Sequence, residues 1–224
     1  MVDPSFLRTT QVAYDTVADT YADASRDGLD GRPLDRGFLA AFAELVRADG
    51  AGPVADLGCG PGHLAAYLHR LGLSVLGVDL SPAMVSLARQ AYPDLRFEHG
   101  SMTALDVADG ELGGIVAWYS IIHIPTEHLP ELFAEFHRVL RPGGHLLLVF
   151  QIGEEPLRLS HAFGHDVSLV AYRWPPSRIA DLLRQAGFAE VARLIRRPDG
   201  DVEKMERGYI LARRSGDVGH PAPR

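Results

Sequence analysis

The chain has 224 residues, 46% apolar and 23% charged, ordinary values for one globular domain with a substantial core. Its 22 basic and 29 acidic residues give a net charge of −7, which argues against a nucleic-acid partner, because that affinity rests on Lys and Arg neutralising phosphates. A single cysteine, Cys59, excludes an intrachain disulfide, no apolar run approaches the ~20 residues of a membrane span, and the expected location is the cytoplasm.

Residues 1–9 show no clear period. Residues 10–24 read as a helix with Val12, Tyr14, Val17, Ala18 and Tyr21 on an uneven apolar face. A Gly/Asp/Pro-rich turn at 27–33 precedes a second helix at 34–47, stopped near Gly50-Ala51-Gly52-Pro53. Strands and helices then alternate. Strands are expected near 53–57, 74–79, 95–99, 113–119 and 144–150, and helices near 61–71, 82–91 and 126–140. Ser81-Pro82 places proline at a first helical position, Thr126 opens the next helix, and Arg141-Pro142-Gly143-Gly144 stops it. Beyond these lie a short strand at 167–172, a helix at 175–186 and a strand pair at 188–196 and 207–213. Residues 215–224 read as a mobile tail. The alternation predicts an α/β, Rossmann-like, doubly wound and mostly parallel sheet, with helices on both faces and a C-terminal antiparallel strand pair. One domain over 1–214 is expected, with an N-terminal helical lid at about 10–48.

The chemistry concentrates at Asp56-Leu57-Gly58-Cys59-Gly60-Pro61-Gly62, between the first strand and the helix after it. Glycines there allow positive φ and close approach of a ligand to the backbone. Asp79 ends the second strand, placed to accept hydrogen bonds from ribose hydroxyls. The spacing is G-x-G-x-G, and His63 stands where a dinucleotide fingerprint has its third glycine. Asp56 opposes a phosphate and suits a cationic ligand. A ribose without phosphate, carrying a sulfonium and an ammonium, describes S-adenosylmethionine. The plainer alternative is a glycine turn of purely structural purpose.

The segment resembles motif I of the class I S-adenosylmethionine-dependent methyltransferases. Residues 75–81 (VLGVDLS), 95–102 (LRFEHGSM), 115–123 (IVAWYSIIH) and 138–150 (RVLRPGGHLLLVF) resemble the later motifs of that family in order. The resemblance covers about residues 10–213. It implies methyl transfer from S-adenosylmethionine, leaving S-adenosylhomocysteine, to a small-molecule acceptor whose O, N or C atom is not specified. It also implies that Gly58, Gly60 and nearby backbone hold the methionine part, Asp79 the ribose, Leu80, Ser101 and Met102 the adenine, and Trp118 the ammonium through its carbonyl. Tyr14 and Tyr21 match a helix that closes over the cofactor, or are core aromatics. A nicotinamide-dependent oxidoreductase and an inactive cofactor-binding scaffold are the competing readings. No metal, nucleic-acid or membrane partner is expected, and the assembly is a monomer or homodimer.

His123, a few residues past the fourth strand, is the candidate general base, with a structural turn histidine as the alternative. His161, His165 and Asp166 form H-x3-H-D, but Phe163-Gly164 argues against a helix there, so a substrate-facing loop is preferred to a metal site. Tyr172, Arg173 and Trp174 follow as further candidates for the acceptor pocket, Arg173 suiting an anionic group.

Overall fold

A computed structural model describes residues 4–26, 28–50, 52–198 and 203–216. Its elements in chain order are α1 (Pro4–Ser25), α2 (Pro33–Ala48), β1 (Val54–Leu57), α3 (His63–Arg70), β2 (Val75–Asp79), α4 (Pro82–Ala91), β3 (Arg96–His99) and β4 (Leu112–Trp118). After two short 3-10 turns come α5 (Leu129–Val139), β5 (Leu140–Gln151), β6 (Leu157–Ala162), β7 (His165–Ala171), α6 (Pro176–Gln185), β8 (Phe188–Arg196) and β9 (Arg207–Arg214).

Seven strands form one sheet in the order β3-β2-β1-β4-β5-β9-β8. The first five are mutually parallel, and β9 runs antiparallel between β5 and β8. Chain order reverses between β1 and β4, so a crevice opens there at the carboxyl ends of the strands. β1 is buried along its whole length, as a central strand covered on both faces must be.

Strand side chains alternate between two separate cores. Leu57, Ile115, Leu146 and Leu148 pack with Leu132, Phe133 and Phe136 of α5 and Ile179 of α6. Val54, Val116, Leu147 and Val149 pack with Leu39 and Phe42 of α2 and Leu68 of α3 on the other face. The period of two sorts residues between faces. The buried positions 129, 132, 133, 136 and 139 of α5 form one helical stripe.

Two elements differ from the sequence expectation. α1 starts at Pro4, not near residue 10, because its first turns have a tertiary partner: the Phe6 ring stacks on His128 at 5.5 Å between centroids and 18° between planes. The stretch read as a substrate-facing loop is instead the β6–β7 hairpin, a separate two-stranded sheet. Its two-residue turn, Phe163-Gly164, has φ of 51° and 83°. Positive φ at both positions matches the twist of a hairpin. Phenylalanine is an unusual residue for it, and the Phe163 ring packs edge-on against Tyr21 at 5.0 Å. The expected tail lies outside the described residues from 217 onward. Among the described residues no helix is long and apolar enough to cross a membrane.

Candidate active site

The glycine turn leaves β1 at the crevice. Gly58 and Gly60 have φ of 75° and 53°. A Cβ on Gly58 would stand 2.4 Å from the Ser120 Cβ, so the turn and the segment after β4 approach closely only because residue 58 has no side chain. Asp79, at the tip of β2, is fixed by two backbone donors. Gly60 N–H reaches one carboxylate oxygen at 2.8 Å and Ser81 N–H the other at 2.8 Å. Ser81 caps α4, its hydroxyl accepting from Met84 N–H at 3.1 Å. Helix capping therefore does not occupy Asp79, whose remaining lone pairs are free to accept hydroxyls. Burial raises its pKa, partly offset by the Ser81 and Gly60 amides.

Asp79, Gly58 and Gly60 line a cavity of about 90 Å³. Leu80, Ser101 and Met102 also line it, as do Tyr14, Tyr21, Trp118 and His123. Asp56 does not line it. Its side chain lies on the α3 face of β1, and neither carboxylate oxygen has a hydrogen bond of good geometry among the described residues. Burial and the neighbouring Asp79 charge push its pKa up to about 8, against a weaker lowering from the Ala65 amide.

α1 closes the cavity from above. Asp15 ties it down: one carboxylate oxygen accepts the Ser81 hydroxyl at 2.5 Å and Ala83 N–H at 3.2 Å, at the N-terminus of α4. Tyr14 and Tyr21 meet edge-to-face at 5.9 Å. The Tyr14 hydroxyl lies 2.7 Å from His123 Nε2, and His123 Nδ1 lies 2.9 Å from the Val170 carbonyl. A carbonyl only accepts, so Nδ1 carries the proton, and Nε2 accepts from Tyr14 O–H. Burial lowers the His123 pKa and raises that of Tyr14, so both are neutral near pH 7.

The five expected acceptor-pocket residues are not on the cavity. His161 and Asp166 form an exposed pair across the hairpin at 3.2 Å, and His165 stands beside its turn. Opposite edges of a hairpin replace the helical face that two imidazoles would need for a metal. Among the described residues no His/Cys/Asp/Glu group is arranged to hold one. Trp174 is buried in the α5–α6 core with its Nε1 donating to Thr126 Oγ1 at 3.0 Å, and Tyr172 stacks on it. Arg173 donates to the Glu155 carbonyl and contacts Met205 Sδ. Each has a packing or hydrogen-bonding reason to be where it is.

Sequence reasoning missed Phe6, Leu7, Thr10 and Gln11, which line the cavity from α1. The signal was the four-residue spacing of Phe6, Thr10 and Tyr14. It also missed Tyr119 and Ser120. Tyr119 has φ of 56°, a left-handed value unusual for a non-glycine residue, and Ser120 Oγ is buried without a hydrogen bond among the described residues.

Residues 54–144 match the family model described as "Methyltransferase domain". The demethylmenaquinone methyltransferase of Chlorobaculum parvum is 30% identical over 137 residues, 61% of this chain and 54% of that protein. The N-demethylindolmycin N-methyltransferase of Streptomyces griseus is 28% identical over 186 residues, 69% of this chain and 78% of that protein. The match to the first of these spans about half of that relative's length. A solved magnesium protoporphyrin IX methyltransferase from Synechocystis superposes with a TM-score of 0.70 at 19% identity, over 96% of this chain and 99% of that one, which speaks to the fold. These matches show a methyltransferase domain over residues 54–144, and the ordered motifs, the strand order and the cavity at the β1–β4 switch agree with the fold of the class I S-adenosylmethionine-dependent methyltransferases.

Proposed function

We propose that the protein transfers the methyl group of S-adenosylmethionine to a small-molecule acceptor by in-line displacement. The observation that carries the reading is Asp79, held at the tip of β2 by two backbone N–H groups beside the glycine turn, on a cavity that opens at the carboxyl ends of the strands. When bound, the cofactor supplies a methyl group on a sulfonium, a leaving group that needs little activation. The chain's own residues bind, align and exclude water. In this reading Asp79 accepts the ribose hydroxyls, and Leu80, Ser101 and Met102 flank the adenine. Gly58, Gly60 and the Trp118 carbonyl hold the methionine part, and Tyr14 and Tyr21 cover it. Asp56 stands behind the turn and makes no contact with the cavity. His123, neutral and with Nε2 unprotonated, is the group that finally takes up a proton lost by the acceptor.

A single working unit over 1–214, a small-molecule rather than nucleic-acid acceptor, and a monomer or homodimer belong to the same proposal, supported by the acidic net charge and by the continuous seven-stranded sheet. So does a cytoplasmic location, which suits a buried free Cys59. The test is an acceptor screen by mass spectrometry with S-adenosylmethionine. Demethylmenaquinone and N-demethylindolmycin, named by the relatives, head the panel. Products heavier by one methylene, with stoichiometric S-adenosylhomocysteine, support the reading. Hydride exchange with a nicotinamide cofactor and no methylated product would overturn it.

A further inference from the structure

Resting on the methyl-transfer reading, we infer that the acceptor is an uncharged, largely apolar ring compound bearing one O–H or N–H, and that Tyr14, held by His123, is the catalytic residue touching its nucleophilic atom.

Charge in the cavity is the first ground. Among the described residues no Lys or Arg lines it, and Asp79 is its one carboxylate. A carboxylate or phosphate on the acceptor would be desolvated there with no Lys or Arg of this chain to pair with, which weakens its binding. Arg173, the sequence's candidate for an anion, is engaged with Glu155 and Met205. Arg207 approaches the wall through the ring face of Tyr119, 5.5 Å from its centroid, and donates to the Met205 carbonyl. The cavity surface that α1 and the turn after β4 contribute near Tyr14 includes Phe6, Leu7 and Ile124, which suit a flat apolar body.

Geometry at Tyr14 is the second ground. Val170 takes the Nδ1 proton of His123, and Tyr14 fills Nε2 at 2.7 Å. With its one lone pair engaged, His123 cannot also accept from a ligand. The Tyr14 oxygen keeps a free lone pair on the cavity side and accepts the acceptor's O–H or N–H. In the transfer a bond forms from the acceptor atom to the methyl carbon, and the carbon–sulfur bond breaks with its electron pair going to sulfur. The acceptor proton passes to Tyr14 Oη as the Tyr14 proton passes to His123 Nε2. The positive charge lost at sulfur thus appears on the imidazole and leaves to water. His123 acts through Tyr14 and is a positioning residue in this scheme.

Three probes of one shape test it on protein saturated with S-adenosylhomocysteine: 2-naphthol, 2-naphthoate and naphthalene, followed by fluorescence at neutral pH. We expect naphthol to bind about tenfold or more tighter than naphthoate. Tyr14→Phe, measured at saturating S-adenosylhomocysteine, should weaken naphthol roughly two- to tenfold, to the level of naphthalene. The imidazole 15N spectrum should show His123 protonated at Nδ1 and bare at Nε2. Naphthoate binding as tightly as naphthol, no binding of any probe, or a proton on Nε2 would overturn the inference. If Tyr14→Phe fails to fold, the naphthol–naphthoate comparison and the 15N spectrum of the wild type still decide. Absence of S-adenosylhomocysteine binding by the wild type would instead overturn the methyl-transfer reading.

Discussion

At the scale of single residues, Asp56 is the side chain whose environment departs furthest from the one its chemistry prefers. It is 1% exposed, lacks a hydrogen bond of good geometry and has its pKa pushed up to about 8. A folded pKa above the unfolded one means the folded state holds the proton more tightly. The stabilising contribution is full below the ordinary value of 3.8 and is lost as pH rises through about 8. Within that window each pH unit removes up to about 1.4 kcal/mol. Asp56→Asn removes the titration. Thermal midpoints of the ligand-free variant should therefore fall less than the wild type's between about pH 4 and pH 8. Parallel midpoint curves would mean that Asp56 stays charged in the fold. The identities of Asp56, Gly58 and Asp79 were legible in sequence because spacing along a strand–turn–helix unit fixes them. That Asp56 points away from the cavity was not, since strand parity at a turn depends on which face the helix covers.

At the scale of elements, α1 decides whether the cavity is closed. Its tie to the body is Asp15 at the N-terminus of α4, a carboxylate accepting one hydroxyl and one backbone N–H. Asp15→Ala should destabilise α4's first turn by about 0.5–2 kcal/mol and speed amide exchange across residues 5–25. In the wild type S-adenosylhomocysteine should slow exchange over the same residues. Equal exchange with and without ligand would make α1 a fixed wall. Helix existence was readable from the apolar face of Val12, Tyr14, Val17, Ala18 and Tyr21. Its first two turns were not, because Phe6 finds its partner 122 positions away in sequence. The β6–β7 hairpin was hidden for a similar reason. Its turn uses Phe163, and the force on that residue is the ring of Tyr21, not a local preference.

For the whole molecule, a buried polar cluster joins the far edge of the sheet to α2. Tyr209 donates to Asp35 at 2.5 Å and accepts from Arg196 Nε at 2.9 Å, and Arg196 grips Glu203 through two bonds at 2.7 and 2.9 Å. The Tyr209 ring also packs against Trp118 of the cavity wall at 5.8 Å. Tyr209→Phe leaves a carboxylate that is 1% exposed without its hydroxyl donor. Urea unfolding should then show a loss of about 1–3 kcal/mol with an unchanged m value. An unaltered midpoint would show that Arg196 and Arg32 together satisfy Asp35. The mostly parallel sheet was legible in the alternation of elements, and the two-core architecture follows from the period of two. The cluster was not, because Asp35 and Tyr209 lie on segments 174 residues apart.

The central claim, a methyltransferase site built around Asp79, is tested most directly by isothermal titration calorimetry on the wild type and Asp79→Ala. S-adenosylhomocysteine should bind the wild type with one equivalent per chain, and the variant should lose about 1.5–3 kcal/mol, the range for a hydrogen bond to a charged group. NADH should give no heat of binding. Saturable NADH binding with no response to S-adenosylhomocysteine, or a variant with wild-type affinity, would contradict the account.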